Sequence, residues 1–371
     1  MSDLAVAGPA QRVVLFPEDD PLALACGRTL APVEVVYRTY GTLSAARDNA
    51  VFACHALTGD ADASGPGGWW STMIGPGRPI DTDRLFVICP NLLGGCRGTT
   101  GPSSTDPRTG KAYGLDFPPL AITDLVAVHR RLLAHLGIAR LHTAIGGSMG
   151  GMQIVQWLID APGEIADAVL VCASARLTAQ NIALSTVARR AILDDPDFHG
   201  GAYAEHGVRP DRGLAFARRL AHVTYLSEPG MAQKFTRAEP EGWAREGDAA
   251  RWLSPVYDVE TYLEHQAKIF LERFDALSYL YLTRVMDAFD PFAAGRVEPV
   301  ALDPVSRALV VSFTSDWRFG TEHAVRLAAQ LRAHGLQAVT ETVVDSPWGH
   351  DSFLLDVPDY LDAVRAFVAP D

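Results

Sequence analysis

The sequence predicts an α/β protein, in which a mostly parallel central sheet carries helices on both faces and one helical insertion. Short apolar runs that suit buried strands alternate with segments of helical periodicity along most of the chain. Between about residues 176 and 300 the strand-like runs disappear and helical periodicity dominates. We therefore expect residues 1–175 and 301–371 to form the core, with residues 176–300 inserted as a helical lid.

The strands are predicted from two kinds of pattern. Residues 33–40 alternate between apolar and polar and are rich in β-branched side chains, which is typical of a half-exposed antiparallel strand. Most of the others are continuous apolar runs, as expected for strands that are buried on both faces. These further strands are predicted over 49–55, 84–90, 141–145, 168–173, 308–313 and 338–344. Residues 1 to about 30 show only a weak pattern.

Helices are predicted between these strands and throughout the insertion. Thr123 can cap a helix that carries apolar side chains along one face and ends at Gly137. Further helices are predicted over 152–159, 181–193, 213–225, 260–274, 276–287, 322–333 and 360–367.

Composition and charge narrow the class of protein. The 32 basic and 44 acidic residues give a net charge of −12, which argues against nucleic acid or an anionic membrane as the main partner. The chain lacks a run of eighteen apolar residues and a basic-then-apolar N-terminus, so we expect neither a membrane span nor a signal peptide. The five cysteines form no C-x-x-C pair. Reduced thiols in a cytoplasmic protein fit this usage best.

The motif Gly146-x-Ser148-x-Gly150 predicts the nucleophile. It lies where a strand-like run gives way to a helix-like one, which is the context that a nucleophile elbow requires. Small residues on either side of the serine permit a sharp turn that larger side chains would block. The start of the next helix presents backbone N–H groups to a developing negative charge. An isolated motif of this kind would more often be an incidental turn, so the prediction also depends on partners elsewhere in the chain.

Asp316 and His350 are the predicted partners of Ser148. Each follows a predicted strand, and the carboxyl ends of parallel strands form the edge on which open α/β sheets place their sites. The order serine, acid, histidine is the one found in α/β hydrolases. A histidine takes the proton of the serine, and a buried carboxylate orients the histidine. The Gly-rich loop after strand 49–55 is where such a site takes its second oxyanion-hole N–H.

Two other kinds of site are not supported by the residues. A phosphate-binding loop ending at Lys111 fails, because Thr105 stands where the first motif glycine should be and Ala112 where Ser or Thr should follow. His199 and His206 lie in a segment without cysteines, and no histidines have metal-ligand spacing. We therefore expect neither a metal site nor a permanently bound cofactor.

Four strings taken together resemble the homoserine O-acetyltransferase family. They are CHALTGD at 54–60, NLLGGCRGTTGPSS at 91–104, GGSMGGMQ at 146–153 and GHD at 349–351, and the resemblance spans roughly residues 30–370. It implies an α/β-hydrolase fold with a helical lid and a homodimer paired through the lid helices. It also implies methionine biosynthesis, with acetyl-CoA donating its acetyl group to the hydroxyl of L-homoserine through an acyl-serine at Ser148.

The resemblance also implies roles for other residues. The backbone N–H groups of Leu57 and Met149 would form the oxyanion hole. Arg218 lies in a segment that resembles the family's lid segment with its substrate-binding arginine, and a guanidinium suits the carboxylate of homoserine. Asp351, next to His350, would bind the ammonium group. One departure is Asp62, which stands where the family usually has a histidine.

Alternative functions stay open on the sequence alone. A serine hydrolase such as an esterase would share every catalytic residue, whereas a catalytically idle binding protein would not need the intact triad. The transferase could also use succinyl-CoA as donor or serine as acceptor. A succinyl carboxylate needs a cation, which Arg97 could supply. Acetyl is predicted because residues 98–101 resemble the acetyl-using members of the family.

Overall fold

The computed structural model describes residues 9–238, 249–254, 257–293 and 301–369. Its strands are β1 (Gln11–Phe16), β2 (Leu22–Ala23), β3 (Thr29–Leu30), β4 (Val33–Tyr40), β5 (Ala50–Cys54), β6 (Ile74–Gly75), β7 (Ile80–Asp81), β8 (Phe86–Pro90), β9 (Leu141–Gly147), β10 (Ile165–Val171), β11 (Arg307–Phe313) and β12 (Ala338–Val344). Eight of them form one sheet in the order β1-β4-β8-β5-β9-β10-β11-β12, and the others form two small pairs. Only the β1–β4 and β4–β8 pairings in the large sheet are antiparallel.

The helices follow the strands as the alternating pattern predicts. They are α1 (Ile122–His135), α2 (Met149–Asp160), α3 (Ala179–Leu193), α4 (Asp211–Tyr225), α5 (Glu228–Lys234), α6 (Ala249–Trp252), α7 (Asp258–Arg273), α8 (Ala276–Asp287), α9 (Thr321–Ala333) and α10 (Pro358–Val368). Successive side chains of a strand point to opposite faces, so each face of the sheet has its own core. Ala50, Phe52 and Cys54 of β5 pack with α1, α2 and α9, whereas Val51 and Ala53 pack with α10 on the other face. The mostly parallel sheet with helices on both faces and helices inserted between two of its strands, as predicted from the sequence, is confirmed.

Six helices, α3 to α8, separate β10 from β11 in the described part of the chain. Helix α4 packs against α3 and α7, and it also contacts the 3₁₀ turn Gly349–Leu354 at the end of the sheet. The helices therefore lie over the carboxyl ends of the parallel strands. The predicted end of the lid at residue 300 lies outside the described residues, as do residues 1–8 and 370–371 of the predicted core. No helix in the described ranges combines the length and the apolar character that crossing a bilayer requires.

Two local expectations change in the structure. Thr123 does not cap α1, because the cap position is Ala121 and Thr123 lies inside the first turn. The carboxylate of Asp124 instead accepts the backbone N–H of Ala121 at 2.8 Å, so the helix is capped from within its own first turn. Residues 11–16, which showed a weak pattern, form the edge strand β1 against β4. Within this strand only Leu15 and Phe16 are buried, so the apolar pattern in the sequence is faint.

Candidate active site

Ser148 occupies a strained turn between β9 and α2. Its backbone has φ 55° and ψ −121°, a region that non-glycine residues adopt only where the surrounding structure forces it. A Cβ at Gly150 would collide with the carbonyl oxygen of Cys54, and one at Gly146 would lie 2.5 Å from the backbone of Gly150. The glycines of the motif therefore permit the close approach of β5 that this turn needs. The geometry is that of a nucleophile elbow.

Asp316 and His350 are joined by a hydrogen bond. Nδ1 of His350 lies 2.7 Å from Oδ2 of Asp316, and the other carboxylate oxygen accepts the backbone N–H groups of Arg318 and Phe319 at 3.0 and 2.8 Å. Burial alone would raise the pKa of Asp316, but His350 and the two N–H donors outweigh it and hold that pKa below its ordinary value. The ring of His350 stacks on Phe319 with centroids 5.0 Å apart. The carboxylate thus orients the imidazole and leaves Nε2 as the available nitrogen.

Ser148 and His350 line the same small cavity of about 60 Å³. The rest of its wall comes from the loop after β5, from the lid and from the loops after β11 and β12: Ala56, Leu57, Thr58, Tyr225, Met286, Arg318, Asp351, Phe353 and Leu354. Ser148 itself is only 6% exposed. The structure thus brings the three residues predicted as a catalytic triad together under the lid.

Leu57 and Met149, the predicted oxyanion donors, both lie close to Ser148. Leu57 lines the cavity, and Met149 follows Ser148 as the first residue of α2, where helix N–H groups are unpaired. The loop that carries Leu57 is held from the core by His55. Nε2 of His55 accepts the N–H of Leu92 at 3.2 Å, and Gln153 donates to the carbonyl of His55 at 3.1 Å. The sequence motifs contained His55 but did not indicate this supporting role.

Asp351 and Arg218 lie at different depths in the site. Asp351 lines the cavity, whereas Arg218 lies behind its wall and donates to the hydroxyl of Thr58 at 3.4 Å. The guanidinium of Arg218 also lies 4.7 Å from the ring centroid of Phe270. Burial raises the pKa of Asp351, and His350 and Arg218 oppose that shift without cancelling it. An arriving ammonium group would favour the ionised form of Asp351. Binding of substrate by this pair stays a prediction.

The cation in the cavity is Arg318, and the sequence analysis did not single it out. Its Nη1 donates to the hydroxyl of Thr224 at 2.8 Å, and within the described ranges no carboxylate lies within 4.0 Å of it. Arg97, by contrast, does not line the cavity and lies 3.4 Å from a carboxylate oxygen of Asp60. Its position in the sequence could have indicated Arg318, because it stands two residues after Asp316 in the same loop.

A buried thiol completes the surroundings of the Asp316–His350 pair. One atom each of Cys172, Asp316 and His350 lies within 4.8 Å of the others. Burial raises the pKa of the Cys172 thiol well above its ordinary value, so the group is neutral. A metal ion would need the thiolate and would compete for the imidazole nitrogen that already bonds to Asp316. The cluster therefore suits an oriented histidine better than a metal centre.

Comparisons with known proteins agree with this geometry. The family described as alpha/beta hydrolase fold matches residues 49–357. A homoserine O-succinyltransferase from Nocardioides sp. is 54% identical over 365 residues, with 96% of this chain and 97% of the relative covered. A homoserine O-acetyltransferase from Rhodopseudomonas palustris is 46% identical over 368 residues, with 97% and 91% covered. The crystal structure of homoserine O-acetyltransferase from Bacillus anthracis has a TM-score of 0.85 and 26% identity, covering 100% of this chain and 99% of that one.

Proposed function

The chain belongs to the homoserine O-acyltransferase family of α/β hydrolases, and from this premise we propose that it transfers a succinyl group from succinyl-CoA to the hydroxyl of L-homoserine. The observation that carries the choice of donor is Arg318. Arg318 lines the cavity of Ser148, and its guanidinium has no carboxylate within 4.0 Å in the described part of the chain. The distal carboxylate of a succinyl group would supply that partner, whereas an acetyl group carries no charge to offer.

Homoserine O-succinyltransferases and homoserine O-acetyltransferases are both similar to this chain, so the names of its relatives do not decide the acyl donor. The acetyl donor predicted from residues 98–101 stays a prediction. That loop does not line the cavity, because the hydroxyls of Thr99 and Thr100 accept the N–H groups of Val36 and Glu34 on β4, each at 2.9 Å. The sequence of this loop is therefore related to its packing against the sheet and not to the acyl group. The cavity itself favours succinyl as the acyl group.

The proposed chemistry passes through an acyl-enzyme. Ser148 attacks the thioester carbon while Nε2 of His350 takes its proton, and the oxyanion is held by the N–H groups of Leu57 and Met149. The C–S bond then breaks, and CoA leaves with the proton from His350. The hydroxyl of homoserine repeats the attack on the acyl-Ser148 ester with His350 again as base, which releases Ser148 and O-succinylhomoserine. Asp316 stabilises the imidazolium in both halves.

We assign this reaction to methionine biosynthesis in the cytoplasm. All five cysteines are free in the structure, and Cys54, Cys89 and Cys172 are buried, which suits a reducing compartment. A serine hydrolase of the same fold would use the same three catalytic residues. The two differ in what resolves the acyl-enzyme, so thiol release that depends on homoserine supports the transferase, and equal release without acceptor supports the hydrolase.

Replacing Arg318 with leucine is the direct test of the donor. Loss of a charge-assisted hydrogen bond of about 1.5–3 kcal/mol should lower kcat/KM for succinyl-CoA by about tenfold to 150-fold and leave acetyl-CoA turnover nearly unchanged. Thiol release in the presence of homoserine measures both. Arg97→Leu is the matched control, because Arg97 is paired with Asp60 away from the cavity and its loss should leave the donor ratio unchanged. A wild-type preference for acetyl-CoA would reject succinyl and restore the acetyl prediction.

We also propose that the protein is a homodimer that pairs through the lid helices. Five large apolar side chains on α3, α4 and α7 are 40–50% exposed: Val187, Leu193, Phe216, Val223 and Ile269. Such exposed apolar residues on amphipathic helices suit burial against a second copy of the same surface. Light scattering at micromolar concentration should give about twice the 40.0 kDa of one chain, and Phe216→Glu should give one chain. Val343→Glu, on the exposed side of β12, should remain dimeric. A fully active wild-type monomer would contradict the proposal.

A further inference from the structure

Thr58 is held by two arginines that come from the lid. Nη1 of Arg273 donates to the backbone carbonyl of Thr58 at 2.7 Å, and Nη1 of Arg218 donates to its hydroxyl at 3.4 Å. Thr58 directly follows Leu57, the predicted oxyanion donor, and both residues line the cavity. The loop that would stabilise the oxyanion is therefore bonded to the inserted helices as well as to the core.

The placement of Arg273 favours a specific role over a general structural one. Arg273 is the last residue of α7, where a cation commonly bonds to the free carbonyls of its own helix. Its Nη1 instead reaches a carbonyl that lies 215 positions away in the chain. Burial lowers the pKa of Arg273, and the nearby charge of Arg218 lowers it further, so this position disfavours a cation. Holding a guanidinium here destabilises the site unless its hydrogen bond compensates.

The core by itself fixes only part of the loop. His55 is anchored to Leu92 and Gln153, and the N–H of Gly59 donates to the carbonyl of Ala56 at 3.0 Å. These bonds hold the start of the loop and close its turn. The partner of the Thr58 carbonyl comes from the lid. The Thr58 carbonyl and the Gly59 N–H belong to one peptide group, and that N–H bonds to the carbonyl of Ala56, whose own peptide group carries the Leu57 N–H. By fixing the Thr58–Gly59 peptide group, the bond to Arg273 therefore opposes a rotation that would release the Ala56 carbonyl and turn the Leu57 N–H away from the cavity.

We propose that Arg273 is a positioning residue, which holds Thr58 from the lid so that the N–H of Leu57 points at the developing oxyanion. The inference rests on the proposed acyl-transfer function. It assigns the lid a part in both half-reactions, because both pass through a tetrahedral oxyanion at the same place. Arg218, whose predicted task is to bind homoserine, should affect only the second half-reaction.

The test measures the two half-reactions separately in three variants. Arg273→Met removes the donor at similar size, Arg273→Lys keeps a cation, and Arg209→Met is the control. Arg209 is also a lid arginine and donates to the carbonyls of Leu271 and Phe274 at the same end of α7, but it does not contact Thr58. Acylation is followed as the mass of acyl-Ser148 formed from succinyl-CoA alone, and transfer as its decay on addition of homoserine.

Arg273→Met should slow acylation and transfer by the same factor, about tenfold to 100-fold, because a misplaced oxyanion donor acts on both. The KM for homoserine should stay nearly constant, Arg273→Lys should recover part of the rate, and Arg209→Met should resemble the wild type. Butylboronic acid, which forms a tetrahedral adduct with an activated serine, should bind Arg273→Met more weakly by a similar factor. Thermal melting of each variant shows whether it is folded.

Two outcomes would overturn the inference. In one, Arg273→Met slows only the homoserine step, which would make Arg273 an acceptor-binding residue. In the other, its rates and boronate affinity equal those of Arg209→Met. Failure of the proposed function is distinguishable, because it appears as a wild-type protein that forms no acyl-Ser148 from any acyl-CoA. The boronate affinities of the variants decide the positioning role even then.

Discussion

Replacing Ser148 with alanine should abolish the acyl-enzyme and lower turnover by about 10⁴-fold or more. The serine is the one protein group of the proposed mechanism that forms a bond to the acyl carbon, and its strained turn lies at the cavity that His350 also lines. Mass spectrometry after incubation with acyl-CoA alone should show one acyl group on Ser148 in the wild type and none in the variant. Double-reciprocal plots of the initial rate against one substrate, at several fixed concentrations of the other, should give parallel lines, as a covalent intermediate requires.

The three predicted catalytic residues should also act as one unit. Once Ser148 is removed, losing His350 or Asp316 as well should lower the rate little further, because the base and its orienting carboxylate act only through the serine. Ser174→Ala provides a matched control. Ser174 is likewise buried and lies 2.8 Å from a histidine nitrogen of His323, but it does not line the cavity. Additive effects of Ser148→Ala and His350→Ala would show that the histidine is structural, and intersecting rate lines without an acyl-enzyme would reject the mechanism.

Arg218→Ala and Asp351→Ala should spare acylation and slow transfer to homoserine by about tenfold to 1,000-fold, as loss of one charge-assisted contact predicts. Homoserine is a zwitterion, so its site must offer both charges near Ser148. Asp351 lines the cavity, and the guanidinium of Arg218 bonds to the hydroxyl of Thr58, which also lines it, so both charges are available at the site. Stopped-flow measurement of the two half-reactions separates these effects.

The neighbouring Arg219 offers the control for that experiment. It lies on the same helix but is paired with Glu264 at 2.7 Å, so Arg219→Ala should leave both half-reactions near wild type. Normal transfer in both Arg218→Ala and Asp351→Ala would place the acceptor elsewhere. Equal slowing of acylation and transfer in Arg218→Ala would instead show that its contact with Thr58 matters more than recognition of homoserine.

The strands and the elbow were predictable because their signals are local. The strand predicted over residues 33–40 has the bounds of β4, and its burial alternates from Val33 to Arg38, since burial on one face of a strand imposes a period of two on adjacent positions. The same holds for the continuous apolar run of β5, which is buried along its whole length between two layers of helices. Ser148, Asp316 and His350 could be named because the turn after each strand is fixed by the strand that precedes it.

Some contacts at helix ends and in loops could not be predicted in this way. Thr123 has the side chain of a helix cap, yet Asp124 supplies the capping carboxylate because α1 begins two residues earlier than a cap at Thr123 would require. The role of His55 depends on Leu92 and Gln153, which lie 37 and 98 positions away. The propensity of a residue tells which hydrogen bonds its side chain can form. Competition among nearby donors and acceptors decides which of these bonds is formed.

Local patterns in the sequence were enough to predict the class of fold, a helical insertion between two strands, and three residues at the ends of β9, β11 and β12 that come together in the site. Which cation lines the cavity of Ser148 depends on tertiary packing. Arg97 and Arg318 are alike as residues, but Arg97 is paired with Asp60, whereas Arg318 lines the cavity. The hydrogen bond from Arg273 of the lid to Thr58 of the core also depends on tertiary packing. The physical reason is that backbone patterns arise between near neighbours in the chain, whereas the partner of a long charged side chain is set by packing between segments that the sequence keeps far apart.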